Sequence, residues 1–488
     1  MDFLYEQGMT YILVIRKGDL TIKGISTTNY FDTSLEKIGV LVGLPKLEVD
    51  FKNVDDEKLS VYCRRDVEIL KKAMEGYFDF IREHDMGKFG MTKSSQALNA
   101  YRHRFMDNKI YTHRANEVIE LEKDAYLGGR VECFRLGKIG GGRKVSLDIN
   151  SMYSFVMKRY QYPSRLLAYH EHFSLKRLPA ALKNHCAVAE VLVDTPEPCF
   201  GVRQGIKIIF PVGRFRCFLC SRGLHLALTR GYLKGIIAIA FYDSTDLFGA
   251  YVDYFYGLKQ KYDREKNQIY RKLVKYFLNC LYGKFGQFRP TIDSFREEKG
   301  LLCYRAEWFD EVTGDKGAEY KLMNRVVRET GREIAPNSLI AVCAHVTEDS
   351  RLYLDEIMTR IGRNRILYCD TDDVKILEKD AGRIRDLIHP DRLGALKIKE
   401  KYSYLNIIGP KSYLTDRESV LKGIPKNAVK IKPFTFRYTS FPRQVSHLRK
   451  QNISYFETRT IEKTLKLVYD KGEVHPDGRI TPFSLSEF

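Results

Sequence analysis

Between the apolar segments Ile366-Leu367 and Val374 to Ile376 the chain carries Tyr368-Cys369-Asp370-Thr371-Asp372-Asp373. Apolar residues flanking a polar tip read as strand, turn, strand over 365–378. The tip holds three carboxylates within four residues, which repel one another, and a clustered or buried set is costly unless a cation is present. Hard oxygen ligands of this kind favour Mg²⁺ or Mn²⁺. Taken alone, such a run is more often a solvated Asp-rich turn. Its meaning depends on what the fold brings beside it.

Two further motifs bear on that. In Lys144-Val145-Ser146-Leu147-Asp148-Ile149 the alternation puts Val145, Leu147 and Ile149 on one face of a strand and Ser146 and Asp148 on the other. Asn150-Ser151-Met152-Tyr153 follows, where strand gives way to helix. An aspartate at a strand end is rigidly held, as metal ligation requires, although an Asp before a helix is more often an N-cap. In Arg271 to Gly286 (RKLVKYFLNCLYGKFG), the spacing of Arg271, Lys275, Asn279 and Tyr282 puts them on one helical face. Leu273, Val274, Phe277, Leu278 and Leu281 cover the other face. Two cations one turn apart, then an amide and an aromatic, suit a triphosphate with a base stacked beyond it. The same pattern also describes an amphipathic surface helix.

The 488 residues allow two to four domains, and a hydrophobic content of 44% fits a folded chain. With 81 Lys and Arg against 62 Asp and Glu, the net charge of +19 suggests a polyanionic partner. The excess is uneven. Residues 1–100 hold 14 basic and 16 acidic residues, whereas 391–488 hold 19 and 10. No apolar run approaches the roughly 18 residues of a membrane span, and the N-terminus lacks signal-peptide order. Scattered cysteines argue against a disulfide framework. Cys217 and Cys220 have the spacing of half a zinc site, with His225 and Cys199 nearby but no second pair. Along the chain we read two strands in 11–24 joined at Lys17-Gly18-Asp19, a short helix over 33–43, and a long amphipathic helix from Asp55 to Ile81. The apolar face of that long helix is read as Leu59, Tyr62, Val67, Leu70 and Met74. A long helical run at 247–285, a hairpin turn at Thr313-Gly314-Asp315 and a helix over 336–361 follow.

The order D-x-N-S-M-Y, then K-x-x-x-N-x-L-Y-G, then Y-C-D-T-D resembles motifs A, B and C of the family B DNA polymerases. It is most similar to the protein-primed branch of viruses, phages and linear plasmids. Tyr126-Leu127-Gly128-Gly129 resembles the Y-x-G-G segment between exonuclease and polymerase domains. Lys411-Ser412-Tyr413 resembles the K-x-Y motif that holds primer-template, and Leu421 to Lys426 resembles the palm-to-thumb segment.

The resemblance implies a mixed α+β right-hand polymerase with palm, fingers and thumb, preceded by a partial RNase H-like exonuclease domain. It implies an exonuclease-like part at 1–118 and a palm at 119–430. The palm would contain an insertion at 165–245, fingers at 247–286 and a second insertion at 287–335, with a thumb at 431–488. It further implies that Asp148, Asp370 and Asp372 hold two Mg²⁺ (or Mn²⁺) ions, Asp370 in a supporting role. Lys275 and Arg271 would hold the triphosphate, Lys275 also protonating the pyrophosphate. Tyr153 would exclude a 2′-hydroxyl, and Asn279 and Tyr282 would wall the base-pair pocket. Tyr126, Gly128, Gly129, Lys411 and Tyr413 would contact DNA, with Lys411 and Tyr413 alternating along one strand. The implied reaction is template-dependent addition of dNTPs to a 3′-hydroxyl or a terminal-protein hydroxyl, in replication of a virus or mobile element. The partners would be primer-template DNA, dNTPs and a terminal protein. The chain would act as a monomer inside a cell, away from membranes, in a cytoplasm or, for a linear plasmid, a mitochondrion. The rival readings are a polymerase needing no primer and a catalytically silent nucleic-acid-binding relic.

Three positions depart from the family pattern: Asp373 and Cys280 stand for serines and Ser154 for a proline. Asp373 is expected to add negative charge beside the metal site. Tyr62-x-x-x-Asp66 is similar to the third exonuclease motif, but the first has no counterpart. A lone Asp66 cannot hold two metals, so no proofreading is expected.

Overall fold

In the computed structural model, which describes residues 3–7, 10–51, 53–300, 304–312, 316–322, 325–440, 458–465 and 468–486, the chain forms two compact units that do not follow chain order. One comprises Asn108–Gly249, Phe285–Pro290 and Arg332–Phe488; the other comprises Met1–Asp107, Ala250–Lys284 and Thr291–Gly331.

The larger unit is built on a five-stranded antiparallel sheet, in the order Leu396–Tyr402, Lys144–Ile149, Asp373–Leu377, Ile366–Asp370, Val131–Cys133. The alternation read at 144–149 holds: Val145, Leu147 and Ile149 are buried with Val374 and Ile376 against Leu354, Ile357, Met358 and Ile361. The last four lie on the helix Ile340–Ile361, which stops at Gly362, whose φ of 101° suits glycine.

The segment expected as an insertion at 165–245 forms a second sheet. Its order is Ser484–Ser486, Val212–Cys220, His185–Thr195, Leu233–Thr245, Tyr162–Glu171, with only the Ser484–Ser486 pairing parallel. Cys199 and Cys217 belong to its apolar core, and burial pushes their thiols upward, which disfavours the thiolate that zinc needs. Straddling the start of the segment expected as thumb at 431–488, Val429–Lys432, Thr435–Ser440 and Arg459–Thr464 form a small antiparallel sheet. From Tyr469 onward the chain returns to the five-stranded sheet: the Cys133 N–H donates to Tyr469 Oη (3.3 Å) and the Leu136 N–H to the Gly478 carbonyl (2.8 Å).

In the smaller unit the two strands read in 11–24 are Thr10–Lys17 and Leu20–Ile25, joined through Gly18 at φ 57°. The helix Leu35–Leu41 follows Ser34, whose side chain caps it. The long helix runs Asp56–Glu83, with the Asp55 carboxylate accepting from the Lys58 N–H at 2.8 Å. Its buried residues are Ile69, Ala73, Tyr77, Phe80 and Ile81, not the face read from the sequence; Val67 is 64% exposed. Leu59, Tyr62, Leu70 and Met74 are half-buried, Tyr62 meeting Phe51 with ring centres 5.5 Å apart, so the deepest face of the helix is offset from the stripe that spacing marks.

The run at 247–285 is two helices, Gly249–Arg264 and Gln268–Cys280. Lys266 adopts φ 56°, a left-handed conformation no helix can pass through, and the Asn267 side chain caps the second helix. Strands Tyr304–Phe309 and Lys316–Leu322 pair with Phe309 opposite Lys316. The turn read at Thr313-Gly314-Asp315 lies outside the described residues.

Candidate active site

The acidic turn is not an ordinary solvated hairpin. Asp370 ends one strand of the five-stranded sheet and Asp373 begins the next, opposite each other in register. Thr371 between them adopts φ 64°, a costly conformation for a β-branched residue. The Asp372 N–H closes a three-residue turn on the Asp370 carbonyl (2.7 Å), and the Thr371 N–H donates to the Arg130 carbonyl (2.7 Å). Register also places Asp373 opposite Asp148, and the Ile149 N–H donates to the Asp372 carbonyl at 2.7 Å. Asp148, Asp370 and Asp372 are thereby brought to one end of the five-stranded sheet. Asp148 is not a helix cap: the helix Met152–Arg159 begins after Ser151, itself at φ 50°, and has no side-chain cap.

The strained turn is braced from behind. A Cβ on Gly129 would lie 2.8 Å from Thr371 Oγ1 and 2.9 Å from Cγ2, so only glycine permits this approach. Arg351, on the helix Ile340–Ile361, donates to the carbonyls of Leu127 (2.8 Å) and Gly128 (3.0 Å). Arg130 is buried, donating to Glu132 (2.5 Å) and Asp355 (2.8 Å), with its guanidinium 4.0 Å from the Phe210 ring. Arg363 forms a bidentate pair with the same Asp355 (2.5 and 2.6 Å). None of Arg130, Arg351, Asp355 and Arg363 was singled out from the sequence; charged residues at positions that helical periodicity marks as buried were the signal available for Arg351 and Asp355.

Lysines sit among the carboxylates. Asp373 is buried, accepts from Ser146 Oγ (2.5 Å) and pairs with Lys375 (3.1 Å) and Lys399 (3.8 Å). Lys375 also donates to Ser146 Oγ (2.9 Å) and stands 4.5 Å from the Tyr413 ring centre. Asp373 therefore does not simply add charge to the site, because buried Lys375 neutralises it internally. Burial works against the charge of Lys399, but Asp373, Asp148, Glu418 and Asp372 more than offset that, and its pKa lies above the ordinary lysine value. Lys411 pairs with Asp370 at 3.5 Å.

Lys411 and Tyr413 do not alternate along one strand. Lys411 is in the turn before Ser412–Thr415 at φ 57°, its N–H donating to Tyr368 Oη (2.9 Å). Tyr413 is packed on Tyr368, with ring centres 5.7 Å apart, and donates to Glu418 at 3.2 Å. The left-handed residue turns Lys411 out of the alternation that spacing alone predicts. Tyr126 and Tyr153 are half-buried within the same unit, and Gly128 is exposed.

In the smaller unit the helix Gln268–Cys280 buries Leu273, Val274, Phe277 and Leu278 and exposes Lys275 and Asn279, as the spacing predicts. Arg271 is half-buried and pairs with Asp263 at 2.8 Å. Tyr282 falls beyond the helix, opening the 3₁₀ turn Tyr282–Gly286.

Among the described residues no group of three or more His, Cys, Asp or Glu side chains is disposed to hold a metal ion as it stands. The donors at this end of the five-stranded sheet are carboxylates, the right chemistry for Mg²⁺ or Mn²⁺, and lysines lie beside them. Asp66 is in a different position. Lys46 pairs with it at 2.8 Å, hydrogen-bonds to Tyr62 and lies 3.9 Å from that ring's centre, so its charge is already answered. A mismatched, end-labelled primer incubated with Mg²⁺ and no nucleotides is expected to keep its length. Shortening would reveal a nuclease site that Asp66 does not explain.

The family described as DNA polymerase type B, organellar and viral, matches residues 48–310. A probable DNA polymerase of Neurospora intermedia is 24% identical over 374 residues, covering 73% of this chain and 37% of that protein. The DNA-directed DNA polymerase of Enterobacteria phage PRD1 is 24% identical over 383 residues, covering 75% and 63%. The chain thus spans less than two thirds of the length of these relatives. Among solved structures, phi29 DNA polymerase with primer-template DNA and incoming nucleotide superposes with a TM-score of 0.67 at 16% identity, covering 94% of this chain and 83% of that one. At this identity the likeness shows the fold, which is the mixed right-hand architecture of palm, fingers and thumb. No helix among the described residues is long and apolar enough to cross a membrane.

Proposed function

Because the chain belongs to the organellar and viral type B DNA polymerases, we propose that it is a template-dependent DNA polymerase that adds dNTPs to a 3′-hydroxyl. The observation that carries this reading is the convergence of Asp148, Asp370 and Asp372, drawn from two strands and a strained turn, at one end of the palm sheet.

In this reading Asp148 and Asp372 hold two divalent ions, and Asp370, tied to Tyr368 (3.2 Å) and Lys411, orients the turn. The bound ions would activate the attacking hydroxyl and offset charge on the triphosphate. Lys275, exposed on its helix, binds the triphosphate and donates a proton to the departing pyrophosphate. Arg271, paired with Asp263, supports it from one turn away. Asn279 and Tyr282 border the base, and Tyr153 blocks a ribose 2′-hydroxyl. Lys411 meets the DNA backbone, and Tyr413 acts through the Tyr368 and Lys375 packing beneath it. Tyr126, Gly128 and Gly129 form the wall where template passes. The basic C-terminal stretch supplies further backbone contacts. A terminal-protein hydroxyl could replace the primer end at the same carboxylates.

The test supplies template and dNTPs with no primer, with an oligonucleotide primer, and with a serine-, threonine- or tyrosine-bearing terminal protein. Extension of the oligonucleotide is expected, falling steeply as salt rises from 50 to 200 mM because each phosphate contact releases counterions. No incorporation in any arm by folded protein would leave only the silent relic. Equal synthesis without primer would favour a self-starting enzyme.

A further inference from the structure

The smaller unit holds the helix Gln268–Cys280 by directional contacts from two separate parts of residues 1–107, one of them backed by a third. From the long helix Asp56–Glu83, the Gly76 carbonyl accepts from Tyr270 Oη at 3.0 Å, and Phe80 stacks on the Tyr270 ring at 5.1 Å. A Cβ on residue 76 would sit 3.1 Å from that hydroxyl. From the helix Lys93–Ala100, Ser94 Oγ lies 3.3 Å from Tyr276 Oη, and the Lys93 ammonium lies 4.3 Å from the Tyr276 ring centre. From the loop after Thr27–Asn29, Asp32 pairs with Lys93 at 2.5 Å. The Lys93 side chain is only 6% exposed, so this cation is spent on holding Tyr276 and Asp32. The helix Gly249–Arg264 is tied in the same way: His84 hydrogen-bonds through its two ring nitrogens to Tyr254 (2.9 Å) and Tyr262 (3.1 Å).

Apolar burial fixes how deep a helix sits but resists its rolling or sliding weakly, because it is not directional. Hydrogen bonds, stacked rings and a cation held over a ring do fix roll and register. Lys275 neighbours Tyr276 on this helix. A roll of about 20° would carry an ammonium standing some 8 Å from the helix axis by about 3 Å, and far smaller errors in placement slow a reaction by about a hundredfold.

We propose that residues 1–107 serve as the positioning element of the nucleotide-binding helix, with Lys93 and Tyr270 as the positioning residues; this rests on the polymerase reading above. The region keeps its fold because it sets where Lys275 and Asn279 stand, and Asp66, already paired with Lys46, contributes no chemistry of its own.

The test is steady-state incorporation on primer-template by the full chain carrying Lys93→Met, Tyr270→Phe or Asp32→Asn, with Lys93→Arg as the conservative variant. Asp32→Asn breaks the ion pair from its exposed side without opening a cavity, which covers the case in which Lys93→Met fails to fold. The expected result is a KM for dNTP raised about tenfold in Lys93→Met. Smaller rises are expected in the other two, with kcat lowered in step because Lys275 also donates the proton, primer-template Kd within twofold and Lys93→Arg near the parent. An unchanged KM in folded Lys93→Met, or in folded Asp32→Asn should Lys93→Met not fold, while Lys275→Ala raises it, would overturn the positioning role and leave the polymerase reading standing. Full activity in Asp148→Ala would overturn the polymerase reading itself.

Discussion

Asp148→Asn is expected to lower nucleotide incorporation by on the order of a thousandfold or more, leaving primer-template affinity within about twofold. The substitution keeps the side chain's size and removes one negative charge from the site where the proposed ions bind. Asp148 stands directly opposite Asp373, whose own charge is answered by Lys375 and Lys399, so loss of the Asp148 charge breaks neither of those pairs. The thermal midpoint of Asp148→Asn should therefore be unchanged, even as activity disappears. That pairing of lost activity with retained stability separates a functional carboxylate from a structural one. Single-turnover incorporation, DNA binding by anisotropy and a thermal melt on one preparation measure all three. Activity within tenfold of the parent, or a collapsed melt, would remove Asp148 from the role proposed for it. Asp372→Asn should behave similarly.

Gly129→Ala is expected to cost about a hundredfold in kcat, because the new methyl must displace the Thr371 side chain from 2.8 Å and with it the turn that carries Asp370 and Asp372. The stability cost is expected to be smaller, about 1–3 kcal/mol, as for overpacking at a single site. Thr371→Gly offers the check. It removes the obstructing side chain and suits the φ of 64°, so the double variant should recover most of what Gly129→Ala loses. Gly128 serves as the control, since a Cβ there meets only Ile208 Cδ1, at 3.8 Å. A loss in Gly128→Ala would report on close approach of DNA and not on packing. If Gly129→Ala is fully active, or if the double variant is no better than the single one, the brace on the turn is not what orders the carboxylates.

Much of the site could be read from local pattern. The strand at 144–149, the strand, turn and strand around Asp370, and the two-faced helix carrying Lys275 and Asn279 all appear where spacing put them. Other readings failed where one residue's backbone overrode periodicity. Lys266 broke a long helix in two, and Lys411 left the strand that Tyr413 occupies. The long helix at 56–83 was found, but its buried face was misjudged, because an apolar stripe does not reveal which face lies deepest.

By itself the sequence determined the parts whose causes lie within a few residues: strand alternation, helix faces, side-chain caps and the order of the acidic and basic motifs. Tertiary structure alone decided that Asp373 is answered by Lys375, Ser146 and Lys399. It likewise decided that Arg130 and Asp355 stand behind the Thr371 turn, and that Gly76 and Lys93 meet Tyr270 and Tyr276 of one functional helix. The physical reason is separation along the chain. Ser146 and Asp373 are 227 residues apart and Arg130 and Asp355 are 225 apart. Contacts at that range depend on sheet register and helix docking, which the whole hydrophobic core selects and no single stretch of residues encodes.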